Sequence, residues 1–260
     1  MIARFENWSI RRGLKVALIA QCVIAGLLIV ADMNNRWTWS APRTDGAPEG
    51  PVEPGDQVRH YEPATQRPTF MMPPGSPSVS LPDDVPERLE FSVITTDELG
   101  EVLLANGAID EGDAQRLDGF LASLATIPDT VILNSPGGVV EEALQIGRAF
   151  RERDLQTAVL SGMYCVSSCP YLLAGGTERR VARDAVVGLH QHYYDTPRYI
   201  PVYFAVESIQ QGQGRTMQYL IDMGVSAELL LFSLTTSPQD IYVLVEDELL
   251  ETNLATEMLD

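Results

Sequence analysis

Thr130-Val131-Ile132-Leu133 runs without a charged side chain and is closed by Asn134-Ser135-Pro136-Gly137-Gly138. A strand that faces water on one side alternates polar with apolar positions; one that does not alternate is covered on both faces and lies inside a sheet. The next residues can supply such cover. Val139 to Arg151 is amphipathic at helical spacing, with Val140, Ala143, Leu144, Ile146, Gly147 and Phe150 on one side, and Thr157-Ala158-Val159-Leu160 is a second buried strand. The alternation extends both ways. Val102-Leu103-Leu104-Ala105 reads as a strand, and Asp110 caps a helix reaching about Leu124. Downstream come a short helix from about Ser167, strands near Arg180–Ala182 and Ala185–His190, and helices over Pro201–Met223 and Ser226–Leu234. A strand at Ile241–Leu244 and a helix from about Glu246 close the chain, which makes residues 91–260 an α/β domain.

The first ninety residues are built differently. Leu14 to Ala31 is apolar apart from Lys15, Gln21 and Cys22, and all three tryptophans, Trp8, Trp37 and Trp39, flank it. Residues 1–36 are therefore expected to be a cytoplasmic tail and a retained transmembrane helix, with residues 14–31 in the inner membrane and the C-terminal domain in the periplasm. A cleaved signal peptide is the competing reading, but Ile29-Val30-Ala31 lacks the small residue three positions before a cleavage point. Cys22 reads as a small buried hydrophobe. Eleven of the seventeen prolines lie between Pro42 and Pro86, so residues 37–90 are expected to form an extended or disordered linker, with Phe70-Met71-Met72 its one apolar knot.

Charge narrows the function. Of the net −18, residues 1–36 contribute +3, leaving −21 on the rest. So acidic a body repels nucleic acid and phosphate-rich cofactors at long range, and neither is expected as a partner.

Three strings carry candidate chemistry. Ser135-Pro136-Gly137-Gly138 is a glycine turn able to present bare N–H groups; Cys165-Val166-Ser167-Ser168-Cys169 sets serines at the mouth of an apolar helix; Gly188-Leu189-His190-Gln191 ends a strand with a histidine. Together they supply the oxyanion donors, nucleophile and base of acyl transfer. Each has an ordinary structural alternative: a strand-to-helix turn, a helix cap and a buried histidine. His192 is second choice as base, since it shares a strand face with His190 if the strand continues. Cys165 and Cys169 bracket Ser167, and in an oxidising compartment their spacing permits a disulfide that would lock the nucleophile's segment. A zinc site with His190 and His192, or a redox pair, are the alternatives.

On these three strings, the second continued by Leu172-Leu173-Ala174-Gly175-Gly176, residues 98–256 resemble the Clp protease/crotonase-like superfamily, in particular its periplasmic branch. That resemblance implies a spiral of β-β-α units and a peptidase acting on a peptide or protein substrate. Ser167 falls at the family's nucleophile, His190 at its base, and the glycine turn at its oxyanion loop, with Gly138 and Ser168 N–H groups as the donors. The orienting acid falls near Asp240, displaced by about one position, with Asp195 a local alternative. It also implies a homo-oligomer, for which the region from Tyr193 to Thr236 offers apolar positions at Phe204, Met217, Leu220, Leu229 and Phe232. One absence decides between mechanisms. Lys15 is the only lysine, so the serine–lysine dyad of one branch cannot operate in the domain and any serine chemistry must use histidine. No cofactor is expected, and a non-catalytic scaffold of the same fold is the competing reading.

Overall fold

The computed structural model describes residues 10–36, 57–60, 85–96, 99–192 and 202–259. The chain divides into two compact units, Met1–Asp45 and Gly46–Asp260. In the first, α1 (Ile10–Arg36) spans the expected anchor, with Leu14, Leu18, Ile19, Val23, Ile24 and Leu27 exposed. Cys22 is exposed too, rather than buried as its apolar surroundings in the sequence suggest, because among the described residues nothing in its own unit packs on α1. Among the described residues no helix is long and apolar enough to cross a membrane. The flanking tryptophans, the Phe70-Met71-Met72 knot and Asp195 lie outside the described residues.

The second unit contains, in order, β1 (Val58–His60), β2 (Glu90–Thr96), β3 (Gly100–Asn106), α2 (Asp113–Ser123), β4 (Thr130–Asn134), α3 (Val140–Glu152), β5 (Gln156–Val159) and β6 (Tyr164–Val166). There follow α4 (Cys169–Gly175), β7 (Arg179–Ala182), β8 (Val186–Leu189), α5 (Val202–Asp222), α6 (Leu229–Thr235), β9 (Asp240–Val243), α7 (Glu246–Glu251) and β10 (Glu257–Leu259). They build a six-stranded sheet, β10-β7-β5-β4-β3-β2, and a four-stranded one, β1-β9-β8-β6. The large sheet is parallel except for the β2–β3 hairpin. Successive β-β-α units alternate between sheets: β5 and then β6 lead to α4, and β7 and then β8 lead to α5. The expected α/β alternation is present, and every residue of β4 is buried, as its unbroken apolar run requires.

The departures have local causes. β2 sits at the sheet edge with a largely exposed burial pattern, so its polar residues hide it from a search for apolar runs. β6 is only three residues long. Within the stretch expected to be an unstructured linker, β1 pairs antiparallel with β9, Val58 opposite Tyr242 and His60 opposite Asp240. A strand this short needs a free sheet edge rather than a core, which proline content does not forbid. Asp110 does not cap α2. The N-cap is Gly112, while the buried Asp113 accepts bonds from Arg88 Nε (2.8 Å), Arg116 Nη1 (2.6 Å) and the Asp110 N–H (2.8 Å). Of the apolar positions expected to join subunits, Leu220 and Leu229 are buried within the unit and Phe232 stacks on Tyr242 at 4.8 Å; Phe204 and Met217 are exposed.

α3 and α4 approach backbone to backbone through two glycines. A Cβ on Gly147 would lie 1.9 Å from the Tyr219 hydroxyl, and one on Gly175 would lie 2.3 Å from the Gly147 carbonyl oxygen. Gly147→Val is therefore expected to lower the unfolding free energy by about 3 kcal/mol or more, the upper range for overpacking, as measured by urea unfolding of the full chain.

Candidate active site

β4 and β6 belong to different sheets, yet they touch at their ends. Ser135, just past β4, donates its N–H to the Tyr164 carbonyl (2.8 Å) and accepts from the Val166 N–H (3.1 Å). The glycine turn of one sheet therefore lies against the segment leaving the other. Beneath this splice, Asn134 Nδ2 donates to Asn106 Oδ1 (2.8 Å), and Asn134 Oδ1 accepts from the Tyr164 N–H (3.2 Å), so both buried amides are satisfied.

Ser167 follows β6 directly. Its N–H donates to the Gly188 carbonyl (2.9 Å), continuing the β6–β8 ladder, and its φ of 63° is left-handed. This conformation is uncommon for a residue with a side chain and is found where tertiary structure holds a functional group in place. It turns the chain sharply from strand to helix and leaves Ser167 partly exposed. Ser167 Oγ and His190 Nε2 are 2.7 Å apart. Ser168 behaves differently: it is 1% exposed and its hydroxyl points to the glycine turn. Geometry thus separates the two serines that sequence spacing left adjacent.

The turn itself requires glycine. At Gly137 φ is 87°, and a Cβ there would stand 2.6 Å from Ser167 Cβ and 2.7 Å from Ser168 N. Both turn amides are engaged by hydroxyls: the Gly137 N–H donates to Ser135 Oγ (3.1 Å) and the Gly138 N–H to Ser168 Oγ (2.8 Å). Among the described residues the Ser168 N–H, beside Gly137, meets no acceptor. The two expected oxyanion donors do adjoin, but Gly138 and Ser168 meet through the Ser168 hydroxyl.

Cys165 and Cys169 form a disulfide with Cα atoms 5.0 Å apart, and both are fully buried. The bond ties the end of β6 to the start of α4 across Ser167. It also removes both thiolates from any zinc set, and no metal-binding cluster occurs among the described residues. Replacing both cysteines by alanine is expected to cost about 2 kcal/mol of stability, the chain-entropy value for so short a loop, read by urea unfolding.

His190 lies immediately after β8 and is 6% exposed. Burial lowers its pKa below the usual histidine value, and the nearby Pro238 backbone opposes the shift. Pro238 lies two residues before Asp240, the residue expected to orient the base. The Asp240 carboxylate accepts from Ser237 Oγ (3.1 Å), and its backbone opens β9 opposite His60.

β8 stops at Leu189, so His192 does not share a strand face with His190. Its Nε2 lies 2.8 Å from the Tyr171 hydroxyl, and the rings meet edge to face at 5.7 Å. Burial, reinforced by His190, lowers His192 to about 4. Unfolded, such a group titrates near 6.5. Between the two values the unfolded chain takes up the proton and the folded chain does not, so stability is complete above pH 6.5 and falls as pH drops toward 4. The loss attributable to His192 is expected to reach about 3 kcal/mol. Urea unfolding across this range should show a flatter profile for His192→Asn.

A cleft of about 770 Å³ opens over the site, bounded by Ile109, the glycine turn, Leu144, Ser167, His190 and Arg215. A hydroxyl within hydrogen-bond distance of a neutral imidazole, beside an open amide and in a cleft, is the arrangement that nucleophilic acyl transfer uses.

No protein-family model matches the chain, and no curated protein matches it. Among solved structures it is similar to a point mutant of ClpP1 from Listeria monocytogenes, with a TM-score of 0.48 and 16% identity, over 61% of this chain and 91% of that one.

Proposed function

We propose that this chain is a serine hydrolase of the Clp protease-like type, a peptidase tethered to the inner membrane with its domain in the periplasm. The observation that carries the reading is the 2.7 Å separation of Ser167 Oγ and His190 Nε2, with Ser167 held in left-handed backbone at a cleft. In the reaction, Ser167 Oγ attacks a peptide carbonyl carbon while His190 Nε2 takes the hydroxyl proton. His190 then returns that proton to the departing amine, and water cleaves the acyl-enzyme by the same route.

To act as base, Nε2 must be unprotonated, with the ring's other nitrogen carrying the hydrogen. Asp240 is the residue proposed to orient that tautomer. Burial keeps the ring neutral under mildly acidic conditions. The Ser168 N–H receives the developing oxyanion directly. The Gly138 N–H joins it when the Ser168 hydroxyl turns away.

The tether rests on the apolar run from Leu14 to Ala31, on the basic side chains that mostly precede it, and on the exposure of that helix's large apolar side chains. Self-association is proposed through the exposed Phe204 and Met217.

Labelling of the soluble domain by a small fluorophosphonate, followed by intact mass, tests the chemistry. Ser167 is expected to be the modified residue, with labelling abolished in Ser167→Ala and slowed by about 10³-fold or more in His190→Ala. Asp240→Asn, which removes the proposed orienting carboxylate, should slow it by about 10²-fold or more. The acid limb of the rate is expected below pH 6.5, because the His190 pKa is lowered. Unlabelled Ser167 in the folded wild type would leave the scaffold reading standing.

A further inference from the structure

The glycine turn and the entrance to α4 bring three backbone amides beside Ser167, those of Gly137, Gly138 and Ser168. Serine hydroxyls take two of them. The Gly137 N–H donates to Oγ of the fully buried Ser135. The Gly138 N–H donates to Ser168 Oγ (2.8 Å), and the Ser168 hydroxyl donates back to the Gly138 carbonyl (3.1 Å). One side chain thus occupies both polar groups of one glycine.

The pairing of the turn explains why those groups are available. Gly138 forms a parallel bridge to Ile109, in which the Ile109 N–H donates to the Gly137 carbonyl (2.8 Å) and the Val139 N–H to the Ile109 carbonyl (2.9 Å). In such a bridge the N–H and C=O of Gly138 itself point away from Ile109. Its position admits no side chain, since φ is 147° and a Cβ would lie 1.9 Å from the Ile109 carbonyl oxygen. Gly138 lines the Ser167 cleft, whereas Ser168 is buried, so the hydroxyl holds the glycine from the protein side.

We infer that the Ser168 hydroxyl is an internal occupant of the oxyanion site, a restraint that leaves the resting hydrolase with one open donor until the oxygen of an acyl substrate displaces it. The inference rests on the hydrolase reading of Ser167 and His190. Through this hydroxyl Ser168 is a positioning residue acting on Gly138. An N–H binds a charged oxygen about twice as strongly as a neutral one, so the exchange favours the tetrahedral intermediate over the substrate carbonyl. The restraint lowers the rate, because both bonds to Gly138 are given up before the second donor serves. Without the hydroxyl the Gly138 amide is free from the start. The Ser168 N–H is unaffected, since it belongs to the main chain.

The test uses the full chain with diethyl para-nitrophenyl phosphate and its phosphorothioate counterpart. Ser167 Oγ bonds to phosphorus, para-nitrophenolate leaves and His190 takes the hydroxyl proton; the coloured phenolate gives the rate and intact mass gives the site. The phosphoryl oxygen draws on the oxyanion donors, whereas sulfur in its place accepts hydrogen bonds weakly. Ser168→Ala and Ser168→Gly are each expected to react with the phosphate about three- to tenfold faster than the wild type, the value of one neutral hydrogen bond. The oxygen-to-sulfur rate ratio should rise by a similar factor, and the acid limb, which belongs to His190, should stay in place. Folded variants that react within about twofold of the wild type would overturn the inference, as would a faster reaction with an unmoved ratio. A slower reaction would overturn it too, by making the hydroxyl a donor to the oxyanion or a prop of the turn. If neither variant folds, NMR of wild-type chain carrying isotope-labelled glycine decides. The Gly138 amide proton is expected to move downfield when Ser167 is phosphorylated, and an unmoved Gly138 signal overturns the inference. If Ser167 stays unphosphorylated in every folded form, the hydrolase reading itself fails and this inference falls with it.

Discussion

The arrangement depends on two backbone hydrogen bonds made by Ser135, which pair the end of one sheet with a strand of the other. A sheet twists as it grows, and two sheets diverging from a shared line leave a wedge that side chains must fill or a cleft must occupy. Here the shared line is one residue long. On one side of it Pro136-Gly137-Gly138 turns into α3, and on the other Val166-Ser167-Ser168 turns into α4. The proximity of the glycine turn and the serine is thus a property of the topology. A shift of one residue in the Ser135 pairing would carry Gly137 away from Ser167 and place a side chain where none fits.

α4 is held from its far end as well. Arg151 Nη2 donates to the carbonyls of Ala174 (3.1 Å), Gly176 (2.7 Å) and Met223 (3.2 Å), and its Nε to that of Gly175 (3.0 Å); Arg179 Nη1 adds a bond to Gly176 (2.8 Å). These guanidiniums satisfy the carbonyls that a helix end leaves open and set positive charge against the negative end of its dipole. Arg179 is buried for this purpose, and the cost shows in its pKa, lowered to about 10 by burial and by Arg151. With the disulfide at one end and two arginines at the other, α4 has little freedom to move relative to Ser167.

The features legible in the sequence and those hidden in it divide along one physical line. Buried strands and amphipathic helices carry their period in side-chain hydrophobicity, so β3, β4, α3 and β5 could be placed within a residue or two, and the serine, histidine and cysteines were visible as chemical types. Groups acting through the main chain left no such trace. The two bonds by which Ser135 joins the sheets are of this kind, since its N–H and carbonyl make them and its side chain does not. The buried arginines were equally hidden, since arginine is read as a surface residue unless its acceptors are known, and here the acceptors at the end of α4 are backbone oxygens. β1 was hidden for another reason: a strand in a proline-rich segment is specified by the free edge of β9 rather than by its own residues.

The two histidines show how one environment assigns two different tasks. Both lose basicity to burial, but their partners differ in kind. His190 faces a partly exposed hydroxyl that can give up a proton, with the Pro238 backbone favouring its charged form. His192 faces the phenol of Tyr171, which lies fully buried on α4, and its proximity to His190 penalises a second positive charge. When His190 takes a proton, it therefore does so beside a neighbour already held neutral, so the imidazolium is not opposed at close range. Had both rings titrated near the unperturbed value, each would have suppressed the other's protonation, and the base would have been least available where the hydroxyl needs it. Keeping His192 neutral is thus a condition for His190 to work, and the Tyr171 that it contacts belongs to the same helix that follows the serine.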